Sequence, residues 1–208
     1  MIGAMTTNVT KFFRESHHFD HLAGAVLPQL AAAARAGGRV RIWSAACSSG
    51  EEPYSIALTL LNAIPDAANL DILILASDLD PDMLARAEAG SYPAERLSDI
   101  PANLRGRHVE TRRDGTFRIQ DSVRSLIRFR HLNLLHDWPM PGSFDVIFCR
   151  NVMIYFDQPT QDDIWRRFAK RMRPNGTLYI GHSERIVTSG IPFTLIGQTA
   201  YRFNGGTR

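Results

Sequence analysis

The chain has 208 residues, 44% hydrophobic and 22% charged: enough apolar material for a sizeable core, which excludes a disordered chain. A net charge of +3 and a pI near 9.1 make it mildly basic, and the spread-out arginines, densest over 105–130, exclude a dedicated nucleic-acid binder. Cys47 and Cys149 stand in apolar context as reduced thiols of a cytoplasmic protein, and neither a bilayer-spanning stretch nor an apolar signal-peptide segment is present in the sequence.

Residues 19–36 read as a helix with Leu22, Val26, Leu27 and Leu30 on one face, kinked or restarted at Pro28. "RVRIWSAAC" (39–47) reads as a strand, and 53–64 as a helix with Pro53 in its first turn, where a missing N–H costs nothing. "LDILILASD" (70–78) is a strand apolar enough for burial on both faces. Residues 81–90 form a helix opened by Asp80-Pro81 and closed by Gly90. Residues 92–124 break the alternation. There "HVETRR" and "TFRIQD" flank Asp114-Gly115, a hairpin turn, and predict a small antiparallel insertion. Strands follow at 126–135 and 144–149. Residues 160–176 form an amphipathic helix, acidic at its start and basic at its end, with Trp165 in the buried stripe beside Ile164 and Phe168. A strand at 177–183 and an antiparallel pair at 193–197 and 199–204 complete the chain. The alternation predicts an α/β fold, doubly wound: a mostly parallel sheet with helices on both faces and an antiparallel terminal strand.

In such sheets ligands bind beyond the carboxyl ends of the strands. After the first strand, "AACSSGEEPYS" has one glycine and two acids, Glu51 and Glu52, where a dinucleotide fold would need a glycine-rich phosphate loop. Acids would repel a phosphate. They suit a nucleoside-like ligand with positive charge, and S-adenosylmethionine, with an ammonium and a sulfonium, fits. The same residues also make an ordinary turn and helix start. Asp78, after the second strand, is placed to take both hydroxyls of a ribose, whereas Asp80 suits a helix cap. Asn133 either reads an adenine edge or forms a turn. In "FDVIFCRNVMIYFD" (144–157) an apolar strand is interrupted by Arg150-Asn151. The interruption marks the strand's carboxyl edge, with Asn151 facing the crevice. Arg150 either faces the ligand or braces the loop.

Taken together, "TNVTKFFRESHHF" (7–19), "RIWSAACSSGEEPYSIA" (41–57), "SDLDPDMLARAEAGSY" (77–92), "NLL" (133–135), "FDVIFCRNVMIYFD" and "GHSE" (181–184) resemble the CheR-type chemotaxis receptor methyltransferases. The resemblance covers nearly the whole chain from Thr7. It implies a Rossmann-like methyltransferase with a seven-stranded sheet, a lid motif and helix over 1–36, and a methyltransferase domain over 37–208. The insertion at about 93–125 becomes a β-subdomain that touches the receptor. It implies methyl transfer from S-adenosylmethionine, leaving S-adenosylhomocysteine, to glutamates on the cytoplasmic helices of methyl-accepting chemotaxis receptors. The partner would be that receptor and not nucleic acid, with no membrane insertion, and the protein a monomer. Asn8, Thr10 and Arg14 would close over the cofactor, Glu51 would take its amino group and Asp78 its ribose. Asn133, Leu134, Asn151 and Val152 would frame the adenine and the transferring end. A helical domain usually precedes the "TNVT" motif in the family and only about six residues do here. That leaves, as an alternative, a cofactor-binding regulatory module with weakened receptor methylation. An RNA or small-molecule methyltransferase would need a base-stacking platform or a nitrogen-acceptor motif, and Arg-Asn-Val-Met is neither.

A glutamate acceptor is already an anion at neutral pH, its ordinary pKa being about 4.3. No strong base is therefore required, and the task is alignment with water excluded. Arg14 or Tyr155 is expected to position the acceptor carboxylate. His17, His18 and His21 are close enough in sequence to share a metal, but the resemblance gives them to packing and no metal is expected.

Overall fold

The computed structural model describes residues 10–205. Helix α1 (His17–His21) runs into one π-helical turn, Leu22–Val26, closed by the Leu27 N–H donating to the Leu22 carbonyl. Helix α2 (Leu27–Arg35) then begins with Pro28 in its first turn. The break expected at Pro28 is this widened turn, which absorbs the hydrogen bond that proline cannot make. Strand β1 (Val40–Ala45) leads to α3 (Glu51–Ala63), and β2 (Ile72–Asp78) to α4 (Pro81–Ala89). Asp80 caps α4 by accepting from the Asp82 and Met83 N–H groups, and Gly90 closes it in the left-handed region, as the sequence indicates.

The insertion contains β3 (Ser91–Pro93), a 3-10 segment (Ala94–Asp99), α5 (Ala102–His108), β4 (Val109–Thr111), β5 (Thr116–Ile119) and α6 (Asp121–Arg124). Strand β5 pairs antiparallel with both β3 and β4. The hairpin turn is where Asp114-Gly115 predicts it: Gly115 has φ 79° and Asp114 Oδ1 accepts the Thr116 N–H at 3.0 Å. The helical segments are an addition to the expected antiparallel unit. No apolar periodicity announces them: α5 buries only Leu104.

Strands β6 (Ile127–His131) and β7 (Phe144–Cys149), helix α7 (Gln158–Arg171), and strands β8 (Met172–Ile180), β9 (Phe193–Gly197) and β10 (Ala200–Phe203) follow. The helix expected to reach residue 176 stops at Arg171, and the next strand starts at Met172. Pro174 cannot extend the helix, Asn175 turns at φ 62°, and a register shift between Phe144 and Val146 lets β8 pair on either side of the irregularity.

The sheet order is β6-β2-β1-β7-β8-β10-β9. Strands β6, β2, β1, β7 and β8 are mutually parallel, and β10 runs antiparallel between β8 and β9. Alternate side chains of the central strands enter two cores. Ile42, Val146, Phe148 and Tyr179 pack with α2, α3 and Phe12. Trp43, Ile147, Cys149 and Leu178 pack with Trp138 and the Ile164, Trp165 and Phe168 stripe of α7. Among the described residues no helix is long and apolar enough to cross a membrane.

Gly50 fixes how α3 starts. Its φ is 97°, and a Cβ there would stand 2.8 Å from Ala87 Cβ and 2.9 Å from the Tyr92 hydroxyl oxygen. Gly50→Ala therefore meets a conformational penalty and a steric one, and should cost about 2 kcal/mol. The urea midpoint reads it; an unchanged midpoint would show that α4 and β3 yield without cost.

Candidate active site

The strand order reverses at β1 and β7, so their carboxyl ends open a crevice flanked by the loops after β2, β6 and β8. The backbone there is unusual. Ala46 (φ 62°), Ser48 (φ 49°) and Asn151 (φ 59°) are left-handed non-glycine residues, as are Phe13 (φ 50°) and Glu15 (φ 57°) in the segment preceding α1. Each such residue costs roughly 1–2 kcal/mol and persists only where its surroundings enforce it.

Around Glu15 and Asn151 those surroundings include a buried charge hub. The Arg150 side chain, 3% exposed, lies 3.3 Å from Glu15 Oε2 and 3.2 Å from Glu52 Oε2. It also donates to the Arg14 carbonyl and sits 5.8 Å over the Phe19 ring. Arg150 thus braces: it joins the N-terminal segment to the edge of β7 and the start of α3. Burial would raise the Glu15 carboxyl, but Arg150 beside it, with His182 and Asn151, holds it down at about 2. Burial raises Glu52, opposed by Arg150 and by the Ser44 hydroxyl, which donates to it at 2.7 Å. Burial and then Arg150 lower His18 to about 3.

Asn8 lies outside the described residues. The Thr10 carbonyl accepts from Arg96 at 3.1 Å, tying the N-terminal segment to the 3-10 segment Ala94–Asp99. Glu51 is buried and accepts from the Ser49 hydroxyl at 2.7 Å; burial raises its carboxyl. Asp78 joins two loops, accepting the Ser48 N–H at 2.7 Å and the Asp80 N–H at 2.9 Å. Asn133 takes the turn-forming role, its Oδ1 accepting the Leu135 N–H at 2.9 Å, and the buried Leu134 offers its carbonyl to Arg167 at 2.8 Å. Asn151 and Val152 leave β7 with their N–H groups on the Glu184 carboxylate, and Asn151 Nδ2 reaches Glu15 at 3.4 Å. Tyr155 stands half exposed on the 3-10 turn Met153–Tyr155 that follows. The second apolar run of "FDVIFCRNVMIYFD" is therefore a separate turn, as the interruption implied.

Sequence reasoning passes over two acids of this edge, Glu15 and Glu184, and takes Glu52 for a ligand-facing acid where the structure pairs it with Arg150. Glu15 stands beside Arg14 and Glu184 ends "GHSE", and only the tertiary partner of each distinguishes it. The histidines diverge. His18 Nε2 faces Thr199 Oγ1 (2.8 Å) and the Gln198 carbonyl (3.1 Å), while His21 Nδ1 faces the Tyr179 hydroxyl (2.8 Å). Glu15, His17 and His18 offer ligand atoms within 4.8 Å of one another, but the Arg150 guanidinium already supplies the cation at Glu15.

Chemically, the edge presents Glu51 and Asp78 around backbone that turns without a phosphate-binding glycine cluster, while Glu52 is taken by Arg150. Among the described residues, Ser48 Oγ is buried with no hydrogen-bond partner. Such a set suits a ligand with a cationic end and a diol, and so fits S-adenosylmethionine.

The family described as CheR methyltransferase, SAM binding domain, matches residues 8–202. A probable chemotaxis protein methyltransferase of Rhizobium etli is 52% identical over 207 residues, covering 98% of this chain and 77% of that protein. The chemotaxis protein methyltransferase of Escherichia coli is 44% identical, covering 96% of this chain and 68% of its own length. Among solved structures, the glycopeptide N-methyltransferase MtfA complexed with S-adenosyl-L-homocysteine aligns with a TM-score of 0.46 at 12% identity, covering 82% of this chain and 54% of that one.

Proposed function

The chain belongs to the CheR methyltransferase family, and on that premise we propose that it transfers a methyl group from S-adenosylmethionine to glutamate side chains of methyl-accepting chemotaxis receptors, forming glutamate methyl esters. The observation that carries this reading is the family match over residues 8–202, which takes in every acid of the strand-end crevice. When bound, S-adenosylmethionine supplies a methyl group activated on a sulfonium.

The protein's part is binding, orientation and exclusion of water. Glu51 and Asp78 are assigned to the amino group and the ribose. Asn133, Leu134, Asn151 and Val152 are assigned to the adenine and the transferring end, with Asn8, Thr10 and Arg14 closing from the N-terminal segment. Arg14 and Tyr155 hold the acceptor carboxylate, and no side chain acts as a base because the acceptor is already an anion. The insertion at about 93–125 is the receptor-contacting subdomain of this reading; its arginines would speed encounter with the acidic methylation helices.

The test is incubation of the purified protein with methyl-labelled S-adenosylmethionine and cytoplasmic receptor fragments. Label that leaves as methanol in alkali is the expected result. Cofactor binding without any alkali-labile label on receptors would move the assignment to a regulatory module of the same family.

A further inference from the structure

The motif after β8 does not serve its own strand. Glu184, 4% exposed, turns its carboxylate back toward the loop after β7. Its Oε1 accepts the Val152 and Met153 N–H groups, both at 2.8 Å. Its Oε2 accepts the Asn151 N–H at 3.1 Å and the Gly181 N–H. Three consecutive amides of one loop thus converge on one side chain, where the left-handed turn at Asn151 (φ 59°) leaves them without a strand partner. The approach is close enough to need a glycine. A Cβ on Gly181 would stand 2.5 Å from Asn151 Nδ2, 2.7 Å from Asn151 N and 2.9 Å from Glu184 Oε2.

We propose that Glu184 is a positioning residue: its carboxylate is the template on which the Asn151–Met153 backbone folds, so that this part of the cofactor edge is formed before the cofactor arrives. The proposal rests on the reading that Asn151 and Val152 hold the cofactor. It adds a residue that touches neither cofactor nor acceptor and acts through the backbone of those that do. Glutamine at 184 would keep the size of the side chain but would present an NH2 to two of the four N–H groups. The loop would then sample other turns, and cofactor affinity would scale with the fraction of molecules still correctly folded there.

The experiment uses the full chain with Glu184→Gln and Gly181→Ala, read by amide hydrogen exchange and by calorimetric titration with S-adenosylhomocysteine. In E184Q the amides of residues 151–153 and 181 should exchange about tenfold faster or more, while those of 146–149 in β7 keep their protection. The S-adenosylhomocysteine Kd should rise roughly 10- to 100-fold. G181A should show the same local signature, since it pushes the loop off an unchanged carboxylate, and it answers the question if E184Q does not fold. Wild-type exchange and affinity in either variant would overturn the proposal, and so would a loss of protection throughout β7 and β8. Neither readout involves an acceptor. A wild-type protein that binds S-adenosylhomocysteine but esterifies no receptor would therefore refute the proposed activity and leave this inference standing.

Discussion

Arg150→Met should lower the unfolding free energy by about 3–5 kcal/mol, because it strands two buried carboxylates that now share one cation. Glu15 and Glu52 are only 11% and 12% exposed, so water cannot readily replace the guanidinium. The same substitution frees the Arg14 carbonyl and with it the segment proposed above to close over the cofactor. The KM for S-adenosylmethionine should therefore rise together with the loss of stability. The triple variant R150M/E15Q/E52Q separates the causes. Removing the stranded charges should recover most of the stability but not the cofactor affinity, which depends on where the segment is held. Denaturant unfolding and calorimetric titration read the two effects. A single variant as stable as wild type would mean that the hub is solvated.

The second large effect is on acid stability. His18 is buried, and its pKa is lowered from the ordinary 6.5 to about 3. Between those values the unfolded chain takes up a proton that the folded chain refuses, so stability falls as pH drops below 6.5. From pH 6.5 down to 4.5 this one group should remove roughly 2–3 kcal/mol. Glu15, held at about 2 against an ordinary 4.5, acts in a lower window: its contribution is complete above 4.5 and is lost as pH falls toward 2. The urea midpoint should thus decline on acidification from pH 7, gently at first and more steeply below 4.5. His18→Gln should flatten the upper part of that decline while keeping a donor for Thr199. A residual slope from His21 and His108, both lowered by burial, will remain. An acid limb identical to wild type would show that His18 is protonated without cost.

The elements that could be read from sequence are those whose signal is local. Strand β7 falls on the residues expected of it because all six of its side chains are apolar or buried, and α4 because Asp80, Pro81 and Gly90 mark both ends. The end of α7 is only partly legible: Pro174 rules out helix as far as 176, but Met172 and Arg173 continue the helical pattern and only pairing with Phe144 turns them into strand. At the site, Asp78 and Asn151 announce themselves by standing just after strands. Glu52 and Glu51 are neighbours of the same type. Only the fold shows that one meets Arg150, 98 residues away, and the other Ser49. Arg150 has no local signal for the same reason: its partners, Arg14, Glu15 and Glu52, all lie 98 residues or more before it.

Those long separations have a consequence for how the protein matures. The segment before α1 is fastened by Arg150 across 136 residues, and His18 by Thr199, in the turn between the last two strands, across 181. Contacts of such span form late, after the sheet has closed most loops, and contribute little to the rate-limiting nucleus. During synthesis the segment before α1 must wait, undocked, for the strands that follow it by more than a hundred residues. Weakening these fastenings should hasten unfolding far more than it slows folding.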